Sequence, residues 1–430
     1  MPFITKDPDA VHFDHSLDSS SEDLLELVEY LYKETKLSRQ KHKDALKLIL
    51  LNLIASNGEK VLINRDNNHK IDERYNALCV GVTALKTAVD SLFTAKYIHF
   101  IEGKKLPYRA GFKSSIEATS LLRMKLQSVK PELQPSDLVV FRAGENNRTS
   151  KDLVDYIDTP RTKRIRQELK DYNALLAKTD IGVRDQSGST VLKDLNNQIV
   201  QRKFIDNGEI DTHGRPLFNS GGRSHAAWFN LSSTQERPFI YIDGQPTTEV
   251  DYQASSVNVI YRVLTNNVYH GDPYDVSIKE RQIPREVVKS ISTIALNNDN
   301  QKSMSSAVGS KYREIGKSKT VSNQSKHSDY RSALGVATIT EILEAFLIKH
   351  SDIRHCFLKG KHIGNKVQCL ESDLVFEIVN QLTKQNIPCL TVHDSFIVKQ
   401  EHLDLLSHLM DTTTFPDQDL VESFLVACSS

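Results

Sequence analysis

Cysteine is scarce in this chain, and its few cysteines are not arranged in pairs. Five occur among 430 residues, and no two of them are spaced as Cys-x-x-Cys. Zinc sites and disulfide frameworks depend on such clusters, so the sequence predicts neither of them. We interpret the five as reduced residues of the core: Cys79, Cys356, Cys369, Cys389 and Cys428.

Long apolar runs are missing as well. No stretch reaches the roughly 20 apolar residues that cross a bilayer. The chain opens with acidic residues, whereas a secretion signal has a basic segment followed by an apolar one. We therefore expect a cytoplasmic protein without a membrane partner.

Common catalytic motifs are also absent. The chain has no Walker-type Gly-x-x-x-x-Gly-Lys-Ser/Thr, no His-Glu-x-x-His and no dinucleotide-binding glycine pattern at the start of a helix. His393-Asp394-Ser395 is not a hydrolase triad, because neighbours in a strand or tight turn cannot adopt the geometry of nucleophile, base and orienting group. These chemistries are disfavoured.

An excess of charge of one sign is lacking too, since the formal net charge is zero. The distribution is nevertheless uneven: the first 30 residues are acidic, whereas 161–170 and 302–331 are basic. A local basic excess suits a nucleic-acid channel. It equally suits a solvated surface, and the sequence leaves both interpretations open.

What is present favours a globular protein of two or three domains, with 39% hydrophobic and 26% charged residues. In the second half, strand and helix patterns alternate irregularly, which indicates an α+β fold. We predict three regions: residues 1–135, a helical linker or thumb-like region at 136–215, and 216–430.

The first region has the pattern of a winged helix-turn-helix. Apolar spacing predicts helices at 24–31 and 45–54, and a third at 84–93 with Thr83 as its N-cap. Two strands, at 97–102 and 112–118, follow around a turn at 103–105. Helix 84–93 is the candidate recognition helix, and a wing would contact DNA phosphates through Lys104, Lys105, Arg109 and Lys113. A winged helix used only for protein contacts is the alternative.

The remaining elements are predicted from the same kinds of pattern. An apolar stripe marks a basic helix from 161 to 176, which leans over a duplex or links domains. Residues 301–331, poor in large apolar groups, are predicted to be a mobile surface segment. The other predicted elements are strands at 238–242 and 247–250, a helix after Asp251, helices at 339–349 and 374–382, and a hairpin of strands 389–392 and 395–398 with His393-Asp394 in its turn.

Two aspartates carry the candidate chemistry. Asp251 ends an apolar run, and Asp394 lies in the tight turn of the hairpin. If their strands are neighbours, the two carboxylates can hold two metal ions, which is what nucleotidyl transfer requires. Arg285 and Lys289, four residues apart, would face one way on a helix and could clamp a triphosphate. Alternatively, Asp251 is a helix N-cap, Asp394 a turn former and the basic pair an exposed helix face.

The order of these elements resembles the family A polymerase superfamily, which unites bacterial DNA polymerase I with the single-subunit, phage-type RNA polymerases. Val250-Asp251-Tyr252 is similar to its motif A, Arg285-Glu286-Val287-Val288-Lys289 to motif B, and Val392-His393-Asp394-Ser395 to motif C. Three further segments match in order: Gly222-Arg223 with Asn230-Leu231, then Asp272-Pro273-Tyr274, then Gln368 with Asp373. The resemblance covers about half of the chain, residues 215–400.

The resemblance implies a right-hand palm with reduced fingers at about 256–350. Asp251 and Asp394 would bind two magnesium ions, with help from the carbonyl of Tyr252. Arg285 and Lys289 would hold the triphosphate. The residues that would contact primer or template are Arg223, Gln368, Asp373 and His393.

Departures from the family pattern bear on the substrate. Asn297 and Thr293 stand where the family has aromatic or large residues of the fingers. Ser256 is small where DNA polymerases carry a glutamate that excludes the ribose 2′-hydroxyl, and His393-Asp394-Ser395 is the RNA polymerase form of motif C. These features favour ribonucleotides, with deoxynucleotides as the alternative.

We therefore predict a magnesium-dependent nucleotidyltransferase that binds DNA and nucleoside triphosphates, as an RNA polymerase or primase-like enzyme. Its architecture would suit an initiator or primer-making enzyme in the replication of a plasmid, phage or other mobile element. Two alternatives stay open. One is a catalytically silent, polymerase-like DNA-binding regulator of replication or transcription, and the other is a terminal transferase that needs no template.

Overall fold

The computed structural model describes residues 10–67, 73–106, 109–131, 133–144, 153–196, 198–318 and 320–429. Within them the prediction of an α+β fold is confirmed, because helices accompany several small and largely antiparallel sheets. No helix in these ranges is both long enough and apolar enough to cross a membrane.

Helices and strands alternate irregularly along the described chain. The helices are α1 (Glu22–Glu34), α2 (Gln40–Ala55), α3 (Val82–Thr94), α4 (Ser120–Leu126), α5 (Pro160–Leu176), α6 (Ser255–Thr265), α7 (Arg285–Leu296), α8 (Gln301–Lys317), α9 (Val321–Leu334), α10 (Ile339–Lys349), α11 (Lys361–Lys384), α12 (Leu403–Thr412) and α13 (Gln418–Ser429).

The strands are short. They are β1 (Val11–His12), β2 (Leu17–Asp18), β3 (Val61–Ile63), β4 (Ile98–Ile101), β5 (Lys104–Leu106), β6 (Arg109–Phe112), β7 (Ser114–Ala118), β8 (Gln134–Pro135), β9 (Val139–Arg142), β10 (Ile181–Arg184), β11 (Val191–Asp194), β12 (Gln201–Ile205), β13 (Gly221–His225), β14 (Ile240–Ile242), β15 (Gln245–Asp251), β16 (Ser277–Ile278), β17 (Arg281–Gln282), β18 (Leu390–Val392) and β19 (Ser395–Lys399).

Two compact units divide the chain between them. The first comprises 1–201 and 225–247, and the second comprises 202–224 and 248–430. The units interleave in sequence, whereas the three predicted regions follow chain order. That three-part division stays a prediction.

The core of the first unit is built by three helices. Leu31 of α1, Ile49 of α2 and Leu92 of α3 are completely buried within one apolar cluster. Their apolar stripes repeat at helical spacing, which drives the helices together. Strands β3, β7 and β4 pair antiparallel, and β1 runs parallel to β3. The helices predicted in this region are confirmed.

Two details of the predicted winged helix-turn-helix are wrong. Gly81, and not Thr83, precedes the first residue of α3 as its N-cap. The predicted turn at 103–105 is partly strand, because β5 begins at Lys104 and pairs with β6. The hairpin thus continues past β4 and β7 as a second small ribbon. Lys104 and Lys113 are exposed, whereas the side chains of Lys105 and Arg109 lie outside the described residues.

The predicted basic helix of the first unit is confirmed as α5. A capping box at Thr159 and Thr162, with Pro160 at the first turn, fixes its start. The apolar stripe predicted for it is buried throughout, at Ile165, Leu169, Tyr172 and Leu176.

In the second unit the predicted C-terminal elements are largely confirmed. Helix α10 covers the predicted 339–349, and α11 contains 374–382 but begins earlier. Strands β18 and β19 form the predicted hairpin, with Val392 opposite Ser395. Before it in the chain, where residues 225–247 belong to the first unit, the predicted strand pair is confirmed as β14 and β15, which join through Asp243 and Gly244, both at positive φ. Such backbone is what a two-residue hairpin turn requires.

The prediction of a mobile segment at 301–331 is wrong. Helices α8 and α9 occupy it, with N-caps at Asn300 and Thr320 whose side chains accept backbone hydrogen bonds. Met304, Val308 and Tyr312 are buried on one face of α8. A four-residue spacing of three apolar groups is enough to dock a helix that is otherwise polar.

Candidate active site

Two strand ends of the second unit bring the candidate aspartates to one place. Asp251 is the last residue of β15, and Asp394 lies in the turn between β18 and β19. The backbone N–H of Tyr252 donates to the carbonyl of Asp394 at 3.3 Å. The Ser395 hydroxyl donates to Glu249 Oε1 at 2.7 Å. The end of β15 and the turn between β18 and β19 are therefore neighbours, and both aspartates lie there.

Left-handed backbone shapes both sides of this edge. His393 has a φ of 60° in the hairpin turn, which places Asp394 directly before β19. Ala254 has a φ of 48° and precedes α6, so the chain reverses within a few residues after Asp251. Positive φ at residues other than glycine is uncommon and gathers at functional sites.

The electrostatics of the pair are those of crowded carboxylates. Burial, followed by the negative charges of Glu371 and Asp251, raises the pKa of Asp394 to about 7. Burial is also the main cause that raises the pKa of Asp251, and the cation of Lys289 opposes it. Burial therefore disfavours the charged form of both carboxylates, and neighbouring acids add to this effect.

Glu371 is a member of this cluster that the motifs did not identify. It lies on α11, it is 3% exposed, and its charge acts on both aspartates. A signal for it existed in the sequence. Glu371 follows Gln368 by three residues in a helical pattern, so both side chains lie on one face.

The donor set fits magnesium. Carboxylate oxygens are the ligands that this ion prefers, and it commonly takes one or two of them and completes its shell with water and phosphate oxygens. Among the described residues, no group of three or more His, Cys, Asp and Glu side chains is placed to hold a metal ion. Two carboxylates suffice for magnesium only when water and substrate oxygens supply its other ligands.

A guanidinium faces the carboxylates from β13. Arg223 Nη2 donates to Glu371 Oε2 at 2.7 Å. With the Gln368 amide oriented to satisfy its partners, its oxygen accepts from Arg223 Nη1 at 3.1 Å and from Nε at 3.0 Å. The charge of Arg223 lowers the pKa of Asp394 and so opposes the crowding. Helix α11 thereby orients Arg223 beside the aspartates.

The two predicted triphosphate ligands on α7 differ in their surroundings. Lys289 is exposed, and its charge acts on Asp251. Arg285 already has anionic partners: its Nε lies 2.8 Å from Asp272 Oδ2, and its Nη1 lies 3.2 Å from Glu286 Oε1. Its guanidinium is also 5.1 Å from the ring centroid of Tyr274. Lys289 is the cation that can meet a phosphate without first leaving a carboxylate.

Motif A side chains around Asp251 have distinct positions. The Tyr252 hydroxyl donates to the carbonyl of Met410 at 2.9 Å, and the ring packs edge-on against Phe396. Its side chain is therefore an anchor, which leaves only its backbone for a metal. Ser256 is half-buried in the first turn of α6.

The two other residues predicted to contact primer or template, His393 and Asp373, lie in different surroundings. His393 is exposed at the turn. Asp373 is 4% exposed, and its Oδ1 lies 2.7 Å from Arg202 Nη2 in the interior. Asp373 can affect a nucleic acid only through the structure that it supports.

Asn297, which stands in place of the family's aromatic residue, packs against α11. A Cβ atom at Gly364 would come within 2.2 Å of the Asn297 amide oxygen. Glycine at 364 leaves the space that the Asn297 side chain fills. The end of α7 therefore contacts α11 through a polar amide.

One acid at this site has a testable effect on stability. The folded-state pKa of Asp394 is about 7, above its ordinary value of 3.8, so the folded protein binds this proton more tightly. The stabilisation is complete below the unfolded pKa and is lost as pH rises through about 7. Without metal, the wild type should therefore lose stability between pH 5 and pH 8, and Asp394→Asn should not. The difference in free energy of unfolding between variant and wild type is expected to shift in favour of the variant by about 1 to 2 kcal/mol from pH 5 to pH 8.

Urea denaturation at pH 5, 6, 7 and 8 in EDTA measures this difference. Asp404→Asn is the matched control, because Asp404 is exposed on α12. If the pH profiles of the Asp394→Asn variant and the wild type run parallel, the raised pKa is wrong.

Known proteins do not assign this site. No family model, no curated protein and no solved structure matches the chain significantly.

Proposed function

We propose that the chain is a magnesium-dependent nucleotidyltransferase that extends or synthesises a strand on a DNA template, with a palm and reduced fingers of the right-hand polymerase type. The observation that carries the proposal is the meeting of Asp251 and Asp394 at one edge of the second unit, with Lys289 near enough for its charge to act on Asp251. If Asp251 only capped a helix and Asp394 only formed a turn, nothing would require the two carboxylates to be close. Their mutual repulsion is unfavourable without a cation.

The residues divide the chemistry among themselves. Two magnesium ions, when bound, lower the pKa of the attacking hydroxyl and neutralise charge on the triphosphate. Asp251 and Asp394 would hold them. Lys289 would attract the triphosphate, and Arg285 would join it by exchanging Asp272 for phosphate. Arg223, fixed by Glu371 and Gln368, would stabilise negative charge near Asp394.

The small side chain of Ser256 supports a preference for ribonucleotides. It leaves room where a larger residue would exclude the ribose 2′-hydroxyl, as the resemblance to RNA polymerases implies. We therefore favour an RNA polymerase or primase-like enzyme, with a DNA polymerase as the alternative.

The first unit supports a DNA-docking role. Three helices followed by the hairpin of β4 and β7 have the order of a winged helix-turn-helix, with α3 as recognition helix and Lys104 exposed beyond the hairpin. Such a unit would bring the catalytic unit to a chosen DNA site. A protein that initiates replication of a mobile element would need both functions.

The unequal surroundings of the two α7 cations lead to a prediction. Lys289→Ala is expected to lower kcat/KM for the nucleotide by about 10²-fold, because it removes a cation that meets the phosphate directly. Arg285→Ala is expected to lower it by only about 10-fold, since this guanidinium must first give up Asp272. Steady-state incorporation kinetics measure both, with Lys279→Ala as a control on an exposed loop. A larger loss in Arg285→Ala than in Lys289→Ala would reverse the assigned roles.

The proposal is tested by extension of a labelled primer on a DNA template with magnesium, with NTPs and dNTPs offered separately. Extension with NTPs supports an RNA polymerase or primase, and a strong preference for dNTPs overturns the assignment of Ser256. Extension without a template would instead identify a terminal transferase.

A catalytically silent, DNA-binding regulator is the second candidate. What favours it is the closed polar contact of Asn297 with Gly364, which leaves no aromatic surface there for a base pair. No extension under any condition, together with intact DNA binding, would establish it.

A further inference from the structure

We propose that helices α8 and α9, together with Lys289 of α7, form a binding surface for single-stranded DNA. This strand surface, as we call it, comprises Lys289, Lys311, Tyr330, Arg331 and their neighbours on the three helices. The choice of DNA rests on the proposed function, in which the chain copies a DNA template. The binding itself does not require catalysis.

The segment that carries the surface is strongly basic. Residues 301–331 contain seven Lys and Arg against two Asp and Glu, although the whole chain has a net charge of zero. A local excess of this size on a neutral protein attracts a polyanion to one place.

Three lysines from three helices gather on this surface. Lys311 of α8 donates from Nζ to the Ser290 hydroxyl of α7 at 2.8 Å. The charges of Lys326 of α9 and Lys289 of α7 both act on it, so the helices bring like charges together. Burial and then the charge of Lys326 lower the pKa of Lys311, the carboxylate of Glu286 on α7 opposes this, and Lys289 adds to the lowering. Like charges that converge in this way are stabilised when an anion such as a phosphodiester lies between them.

A pair of aromatic rings lies on the same helices. Tyr312 and Tyr330 stack with ring centroids 3.9 Å apart and an interplanar angle of 2°. Tyr312 is buried and supports Tyr330, which is half-buried and retains solvent contact. An aromatic ring held rigidly from below is a platform on which an unpaired base can stack. Bases within a duplex are already stacked on each other, which is why a single strand is the partner that fits.

An open polar cavity of about 490 Å³ is lined by residues of the same two helices, α8 and α9. Its lining is Gly316, Gln324, His327, Ser328, Arg331 and Ser332. A Cβ atom at Gly316 would come within 2.8 Å of His327 Nε2, so glycine permits this close approach of α9 to α8. Within the described ranges, the side chain of Arg331 has no hydrogen-bond or ion-pair partner. A guanidinium among serines and a histidine suits a phosphate group.

The surface can be tested by fluorescence anisotropy with a labelled oligo-dT, without magnesium or nucleotide. Lys311→Gln/Lys326→Gln is expected to weaken binding about 10-fold and to reduce the slope of log K against log salt by about 1.4, the value for two phosphate contacts on a single strand. Tyr330→Leu is expected to weaken binding by about 10-fold, whereas Tyr330→Phe keeps the ring and the affinity.

The matched control is Lys279→Gln/Lys384→Gln, which removes the same charge from exposed positions outside the surface. Circular dichroism and thermal melting check that every variant is folded. Equal losses in the control pair, unchanged affinity in Tyr330→Leu, or a preference for duplex or for RNA over single-stranded DNA would overturn the proposal.

The assay also separates this inference from the proposed function. Binding of oligo-dT is also measured in variants that carry Asp394→Asn, because this substitution is expected to remove catalysis and leave binding. Binding that depends on Lys311, Lys326 and Tyr330 without any primer extension supports the strand surface and counts against the polymerase. If the substitutions change neither primer extension nor oligo-dT binding, the result supports the polymerase and counts against the strand surface.

Discussion

Asparagine in place of Asp251 or Asp394 is expected to lower single-turnover nucleotide incorporation by about 10³-fold. Each substitution removes the charge of one proposed metal ligand while keeping its shape, and the stabilisation that metals supply to phosphoryl transfer amounts to several kcal/mol. The effect should persist at high magnesium, because an amide cannot replace the lost negative charge. Rapid-quench measurement with a labelled primer gives the rate directly.

Binding and folding provide the necessary contrast. Both variants should retain affinity for oligo-dT, and Asp404→Asn should retain full activity, because Asp404 is exposed on α12. Incorporation within about 10-fold of the wild type in either aspartate variant would show that the pair does not hold the metals.

Breaking the buried pair of Arg202 and Asp373 is expected to have the largest effect on stability. Their side chains are only 2% and 3% exposed and lie 2.7 Å apart. Arg202 Nε also donates to the carbonyl of Gly222 at 2.7 Å. Asp373→Asn or Arg202→Met alone should lower the free energy of unfolding by about 3 to 5 kcal/mol, because a charge stays buried without its partner. Urea denaturation measures the loss.

A double variant distinguishes structural support from contact with nucleic acid. Arg202→Met/Asp373→Leu removes both charges and should recover much of the stability that each single change loses. If Asp373 touched the template, as the resemblance to the polymerase superfamily implies, Asp373→Asn would weaken DNA binding with little change in unfolding. That outcome would contradict the buried role.

Much of the fold could be predicted because it depends on local pattern. The apolar stripe of α5 and the tight turn at His393 and Asp394 are set by neighbours within one or two turns of chain, and both predictions are confirmed. Helices α8 and α9 were missed because few apolar residues anchor them. Asn300 and Thr320 were readable N-caps, but they were outweighed by a composition that resembles a loop.

The site was predictable only in part, for a different reason. Short motifs identify Asp251 and Asp394 by their place in an order, so they do not identify a residue outside the motifs, such as Glu371. Ion pairs also depend on tertiary structure. Nothing in the spacing of Asp272 and Arg285 indicates that they pair, or that Asp373 is held by Arg202.

Helix α11 has a thermodynamic consequence for the order in which ligands bind. Gln368, Glu371 and Ser372 lie on this one helix and make their hydrogen bonds to Arg223 and to the carbonyl of Gly222. Arg223 is thus held in place by hydrogen bonds before any ligand arrives, so the proposed binding of metal ions beside it would lose little conformational entropy. Lys289, Lys326 and Arg331 are exposed, and their side chains would lose freedom on binding phosphate as proposed. Under the two proposals, affinity for the ion would depend little on ordering, whereas affinity for the polyanion would be limited by it and would change most with temperature and salt.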